Sequence, residues 1–75
     1  MNDVRRFTAV IYREGDGYVA LCPELDVASQ GDNVEEASAN LREAVELFLA
    51  TAAPPEIEGR MTGEMYVRAL EVKAG

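Results

Sequence analysis

Residues 21–37 read LCPELDVASQGDNVEEA, and the reading of this stretch decides the fold. It begins in the apolar end of one run and finishes inside a pattern of helical period. Pro23 has no N–H to give to a ladder, so a strand should stop there or lie at an edge. Asp26 to Gln30, DVASQ, reads as a short strand, and Gly31 breaks it. Asn33 stands immediately before the helical pattern and Glu36 follows three residues later, which predicts a capping box with Asn in place of Ser or Thr. Asp32, Glu35 and Glu36 add negative charge where the helix dipole is positive.

Downstream, Val34, Ala37, Leu41, Ala44, Val45, Phe48 and Leu49 recur on one face, which predicts a helix over Val34–Thr51. Pro54-Pro55 must end it. Upstream, RRFTAVIYR (Arg5–Arg13) and YVALC (Tyr18–Cys22) are rich in β-branched and aromatic residues and read as a hairpin around EGDG, with Gly17 at its end. PPEIEGRMTG reads as a connector, with room for one short turn. EMYVRALEV (Glu64–Val72) alternates and reads as a fourth strand.

The predicted order is β-β-β-α-β. Three strands meander antiparallel, and a right-handed crossover through the helix brings the fourth beside the first. This is an α+β domain with a mixed sheet of order 3-2-1-4 and one helix packed on one face. Pairing Arg13 with Tyr18 sets Ile11 against Ala20, Ala9 against Cys22 and Val10 against Leu21. Phe7, Ala9, Ile11, Ala20 and Cys22 then share the face that the helix should cover, because small residues allow close approach. Val10, Tyr12, Val19 and Leu21 share the other. That face is apolar and wants a partner, so a homo-oligomer, a dimer or larger, is expected.

Seventy-five residues make one domain, 1–75, with a single core. A domain so small buries only about 60% of the surface its unfolded chain exposes, and such domains commonly lean on disulfides, metals or association. Here Cys22 is the sole cysteine and histidine is absent, so neither a disulfide nor an ordinary zinc site is expected. The lone thiol, the lack of a signal-like segment and the lack of a long apolar run point to the cytoplasm and away from a membrane.

The net charge of −7 argues against direct nucleic-acid binding. It is concentrated between Glu14 and Glu46, where nine acids face the single base Arg42. Glu24, Asp26, Asp32, Glu35 and Glu43 exceed what helix capping requires and form a candidate acidic face for a basic protein. Catalysis is not expected. The middle of the first strand, Thr8-Ala9-Val10-Ile11, carries no carboxylate that could join a metal-binding catalytic set. Neither Cys22 nor Ser29 has a base partner. Asp16, Glu24, Asp26 and Asp32 match no calcium-loop spacing. Gly15, Gly17 and Gly31 suit turns and not a phosphate loop. No cofactor is implied.

GDGYVALCPEL followed by SQGDNVEEASANLREAVELFL resembles the HicB antitoxin family and its short single-domain relatives. The glycine-flanked hairpin, Tyr-Val-Ala, Cys-Pro-Glu-Leu, Ser-Gln-Gly-Asp and Glu-Glu-Ala occur in order, and the likeness runs from about Phe7 to Leu49. Asp26-Val27-Ala28 departs from the Pro-Gly-Cys of many members. The resemblance implies a partial ribonuclease-H-like fold. It also implies binding and neutralisation of a small basic mRNA-cleaving toxin of the HicA type. The chain stops just after the expected fourth strand, so no C-terminal DNA-binding domain is expected. The other reading is a stand-alone oligomeric structural or regulatory domain of the same fold with no toxin partner.

Overall fold

The computed structural model of the chain describes residues 5–61 and 65–75. Three strands, β1 (Val10–Glu14), β2 (Gly17–Cys22) and β3 (Val27–Gly31), form one antiparallel sheet in the order β1-β2-β3. Helix α1 (Val34–Thr51) follows, then helix α2 (Pro54–Met61). The hairpin register is the expected one, with Arg13 opposite Tyr18, Ile11 opposite Ala20 and Val10 opposite Leu21. Arg5–Ala9 form a lead-in outside the ladder, so the expected Ala9–Cys22 pair is not part of it.

Glu14 pairs with Gly17, which leaves a two-residue turn at Gly15-Asp16. Gly15 takes φ 60° at the first central position, where a type II′ turn needs glycine. Gly17 and Gly31 do not have positive φ, so they are not turn glycines in that sense. Close approach explains both. A Cβ on Gly17 would sit 3.1 Å from the carbonyl oxygen of Gly31, and one on Gly31 would sit 2.5 Å from the amide nitrogen of Ala37. Gly31 is thus the site where the first turn of α1 lies directly on the sheet.

Asn33 caps α1 by accepting from the Glu36 N–H at 2.7 Å. Glu36 reaches back one residue further than a standard capping box, to the Asp32 N–H at 3.1 Å. Asn40 donates to the Gln30 carbonyl at 2.8 Å, which ties the second turn of the helix to β3. Ala37, Leu41 and Val45 are buried against Ala20, Cys22 and Leu25, with Phe7, Ile11, Tyr18, Val27, Phe48 and Leu49 packed around them. The helix therefore covers the alanine-bearing face, as the pairing predicts. Val34, at the edge of the stripe, is 42% exposed.

The expected four-stranded 3-2-1-4 sheet does not form. The described sheet has three strands and is wholly antiparallel. Glu64 lies outside the described residues, and residues 65–75 take no part in the sheet. Two local signals account for the difference. Pro54 begins a second helix, where a proline N–H is not needed, so much of the expected connector is helical. Arg60 then pins that helix to the globule: it donates to the Leu25 carbonyl in the β2–β3 turn, meets Glu56 at 3.3 Å, and lies 4.9 Å from the Phe48 ring centre. Residues 65–75 do not pair with the β1 edge. What forms is a small α+β domain with a three-stranded sheet and two helices.

Candidate functional site

The cap at Asn33 and the buried Ala37–Leu41–Val45 row fix the rotation of α1, and with it what the helix shows to solvent. Glu35, Glu36, Arg42, Glu43 and Glu46 are all exposed on the side away from the sheet. Asp32 is exposed just before the cap. Five acids, Asp32 included, against one base make this ridge strongly negative. Glu14, Asp32 and Glu36 also line an open hollow of about 580 Å³ at the end of the sheet where α1 begins. Of the expected acidic face, the structure thus gathers Asp32, Glu35 and Glu43 along one helix. Glu46 belongs to the same ridge, and its helical spacing from Glu35 and Glu43 is the signal that could have included it.

Glu24 and Asp26 lie elsewhere. They sit in the β2–β3 turn, off helix α1 and at the end of the sheet opposite Gly31. Asp26 is exposed and occupies the left-handed region at φ 56°, which Asp tolerates better than most residues. Glu24 is half-buried and turned inward. Its carboxylate accepts from the Thr8 N–H at 2.8 Å and from the Cys22 thiol at 3.6 Å. Burial acts to raise its pKa, but backbone N–H groups of Glu24 and Thr8, with the Thr8 and Cys22 side chains, outweigh it and hold the pKa below the ordinary carboxylate value. Glu24 therefore fastens the lead-in to the turn. Cys22 is fully buried, and burial with the neighbouring Glu24 charge pushes its thiol pKa up despite backbone hydrogen bonds at Leu25 and Glu24. A neutral thiol is a poor nucleophile.

Leu25, between these two acids, is fully buried and plugs the end of the core. Its acidic neighbours hide that role in the sequence. Pro23 is half-buried in the same turn, and its carbonyl accepts from the Asp26 N–H at 3.4 Å.

The face of the sheet opposite α1 carries the expected apolar set. Val10 pairs with Leu21 and Tyr12 with Val19, so the four side chains form one patch across β1 and β2. Tyr12 is 48% exposed and the others are half-buried. Neither helix covers this patch, since α1 packs on the other face. Among the described residues, no group of three or more His, Cys, Asp or Glu side chains is arranged to hold a metal ion. No described helix is long and apolar enough to cross a membrane. Comparison of the chain with protein-family models, curated proteins and solved structures found no match.

Proposed function

We propose that the chain is a protein-binding module resembling the HicB antitoxin domain, which binds and neutralises a small basic mRNA-cleaving toxin of the HicA type. The observation that carries this reading is the exposed acidic ridge of α1, from Asp32 through Glu35 and Glu43 to Glu46. A ridge of one sign raises the association rate of an oppositely charged protein and disfavours wrong partners. The apolar patch of Val10, Tyr12, Val19 and Leu21 supplies the desolvated contact that charge alone does not. Asp26 extends the negative surface to the far end of the sheet. The module acts by occlusion, in the cytoplasm, with no catalytic group or cofactor of its own and no direct contact to nucleic acid.

If a small basic protein is encoded beside this chain, the test is co-expression of the two, followed by light scattering on the purified material and a growth assay. A stable mixed complex and rescue of growth support the reading. A neighbour that is toxic alone and stays toxic in the presence of this chain overturns it.

A second reading, a stand-alone oligomeric domain without a toxin partner, draws on a different observation. Tyr66, Val67, Leu70 and Val72 are 69–85% exposed, a large apolar surface for so small a chain. A homo-oligomer that ignores the neighbouring protein favours it.

A further inference from the structure

We infer that residues 65–72 of one copy lie along the free edge of β1 in a second copy, and that two chains exchange these segments to form a dimer.

The inference starts from coverage. An α-helix with its side chains is about 10 Å wide, and strands lie about 4.8 Å apart, so one helix covers two strands. Here α1 packs chiefly over β3 and β2 and barely reaches β1. The sheet-covering layer therefore stops short on the β1 side. A mainly apolar groove of about 660 Å³ is left there, with Phe7, Ala9, Leu41, Val45, Leu49 and Ile57 in its lining and the charged groups of Arg5, Arg42 and Glu46 beside them. β1 is also an edge strand, with β2 on its other side. A groove and an open strand edge thus coincide at one place.

The chain supplies a segment that fits both. Met65 to Val72, MYVRALEV, has the composition of a strand, and its eight residues match the length of Phe7–Glu14, about 26 Å when extended. It forms no part of its own sheet. Its large apolar residues are exposed, Leu70 at 85% and Val72 at 74%. The radius of gyration is 14.5 Å, against about 11 Å expected for a compact chain of this length. The longest dimension is 50 Å, against 29 and 19 Å for the others. A strand-like apolar segment outside its own sheet, on a chain that lacks cover at one strand edge, is the arrangement that exchange between two copies resolves. The second copy brings the same groove and the same segment, so a two-fold arrangement fills both grooves at once. Each chain keeps its own three-stranded sheet. The inference concerns this chain alone and stands independently of any toxin.

The experiment uses the full chain without a partner. Light scattering should give twice the 8.2 kDa of one chain. Successive strand N–H groups point to opposite edges, so Arg68→Pro with Ala69→Pro removes one pairing donor whichever edge faces β1. Arg68 and Ala69 are exposed and outside every helix and strand, so the variant should keep the wild-type helical signal while its mass falls to that of one chain. In a sample mixing isotope-labelled and unlabelled copies, filtered nuclear Overhauser effects should connect the methyls of Val67, Leu70 and Val72 to residues within Phe7–Glu14 of the other copy. A monomeric wild type overturns the inference, as does a dimer that survives the double substitution or a set of these contacts found only within one chain. If the variant does not fold, the filtered spectrum of the wild type decides alone.

Discussion

Gly31 shows how one absent atom places a helix. Any Cβ there meets the backbone of Glu36 and Ala37, which cannot swing aside as a side chain can. Gly31→Ala should therefore force α1 off the sheet and destabilise the fold by about 1–3 kcal/mol, the usual cost of overpacking. Urea unfolding measures it, and an unchanged midpoint would show that the contact is looser than the structure has it. Gly15→Ala meets nothing in space and is strained only through its positive φ, so the two substitutions separate crowding from backbone conformation. Glu24 makes a different kind of local statement. Its folded pKa lies below the unfolded one, so it favours folding above the unfolded carboxylate value, and that contribution is lost as pH falls through the folded value. Glu24→Gln removes the titration. The variant should be less stable than the wild type near neutral pH, and the difference should shrink in acid. Urea midpoints measured from neutral pH downward test this, and parallel curves would detach Glu24 from Thr8.

At the scale of elements, α1 carries the core. Leu41 is 4% exposed at the centre of the buried row, and Leu41→Ala should cost about 2–5 kcal/mol. Leu47 is 66% exposed, and Leu47→Ala should stay within about 0.5 kcal/mol. Thermal unfolding of the pair checks the helix rotation, and similar losses at both sites would show that rotation to be wrong. The same helix marks how far the sequence can be read. Its limits, its cap at Asn33 and its inward row are legible because each is set by residues within one or two turns. The hairpin register is legible because alternation and turn length fix it together. The fourth strand fails for the opposite reason. Alternation in residues 65–72 says that the segment suits a strand, but the strand also needs an edge, and the position of that edge depends on where α2 docks. The docking contact is Arg60 on the Leu25 carbonyl, a pairing between distant parts of the chain that no periodicity announces. The acidic site divides in the same way. Glu35 and Glu43 follow from helical spacing, whereas the inward turn of Glu24 depends on a lead-in that only the folded chain brings to it.

The whole molecule carries a net charge of −7, and this gives the two proposed associations opposite responses to salt. Two copies repel each other, so exchange of residues 65–72 must be held by apolar burial and strand pairing against that repulsion. Added salt screens it, with a Debye length near 10 Å at 0.1 M, and the dimer should tighten. A basic partner is attracted to the α1 ridge, so its association should slow as salt is added. Reversing Asp32, Glu35 and Glu43 to Lys changes each charge by two and brings the chain from −7 to −1. All three are exposed, so the fold should persist. In this variant, association with the basic partner at low salt should slow by about tenfold or more. The homodimer should tighten at low salt and lose most of its salt dependence. Stopped-flow association and sedimentation equilibrium, each at two ionic strengths, read both effects on the same samples. Partner association unmoved by the reversals would place the partner away from α1, on the Val10–Tyr12–Val19–Leu21 patch. A homodimer weakened by salt would show that charge pairs between copies, such as Arg68 or Glu71 against the groove residues Glu46, Arg42 or Arg5, outweigh the net repulsion.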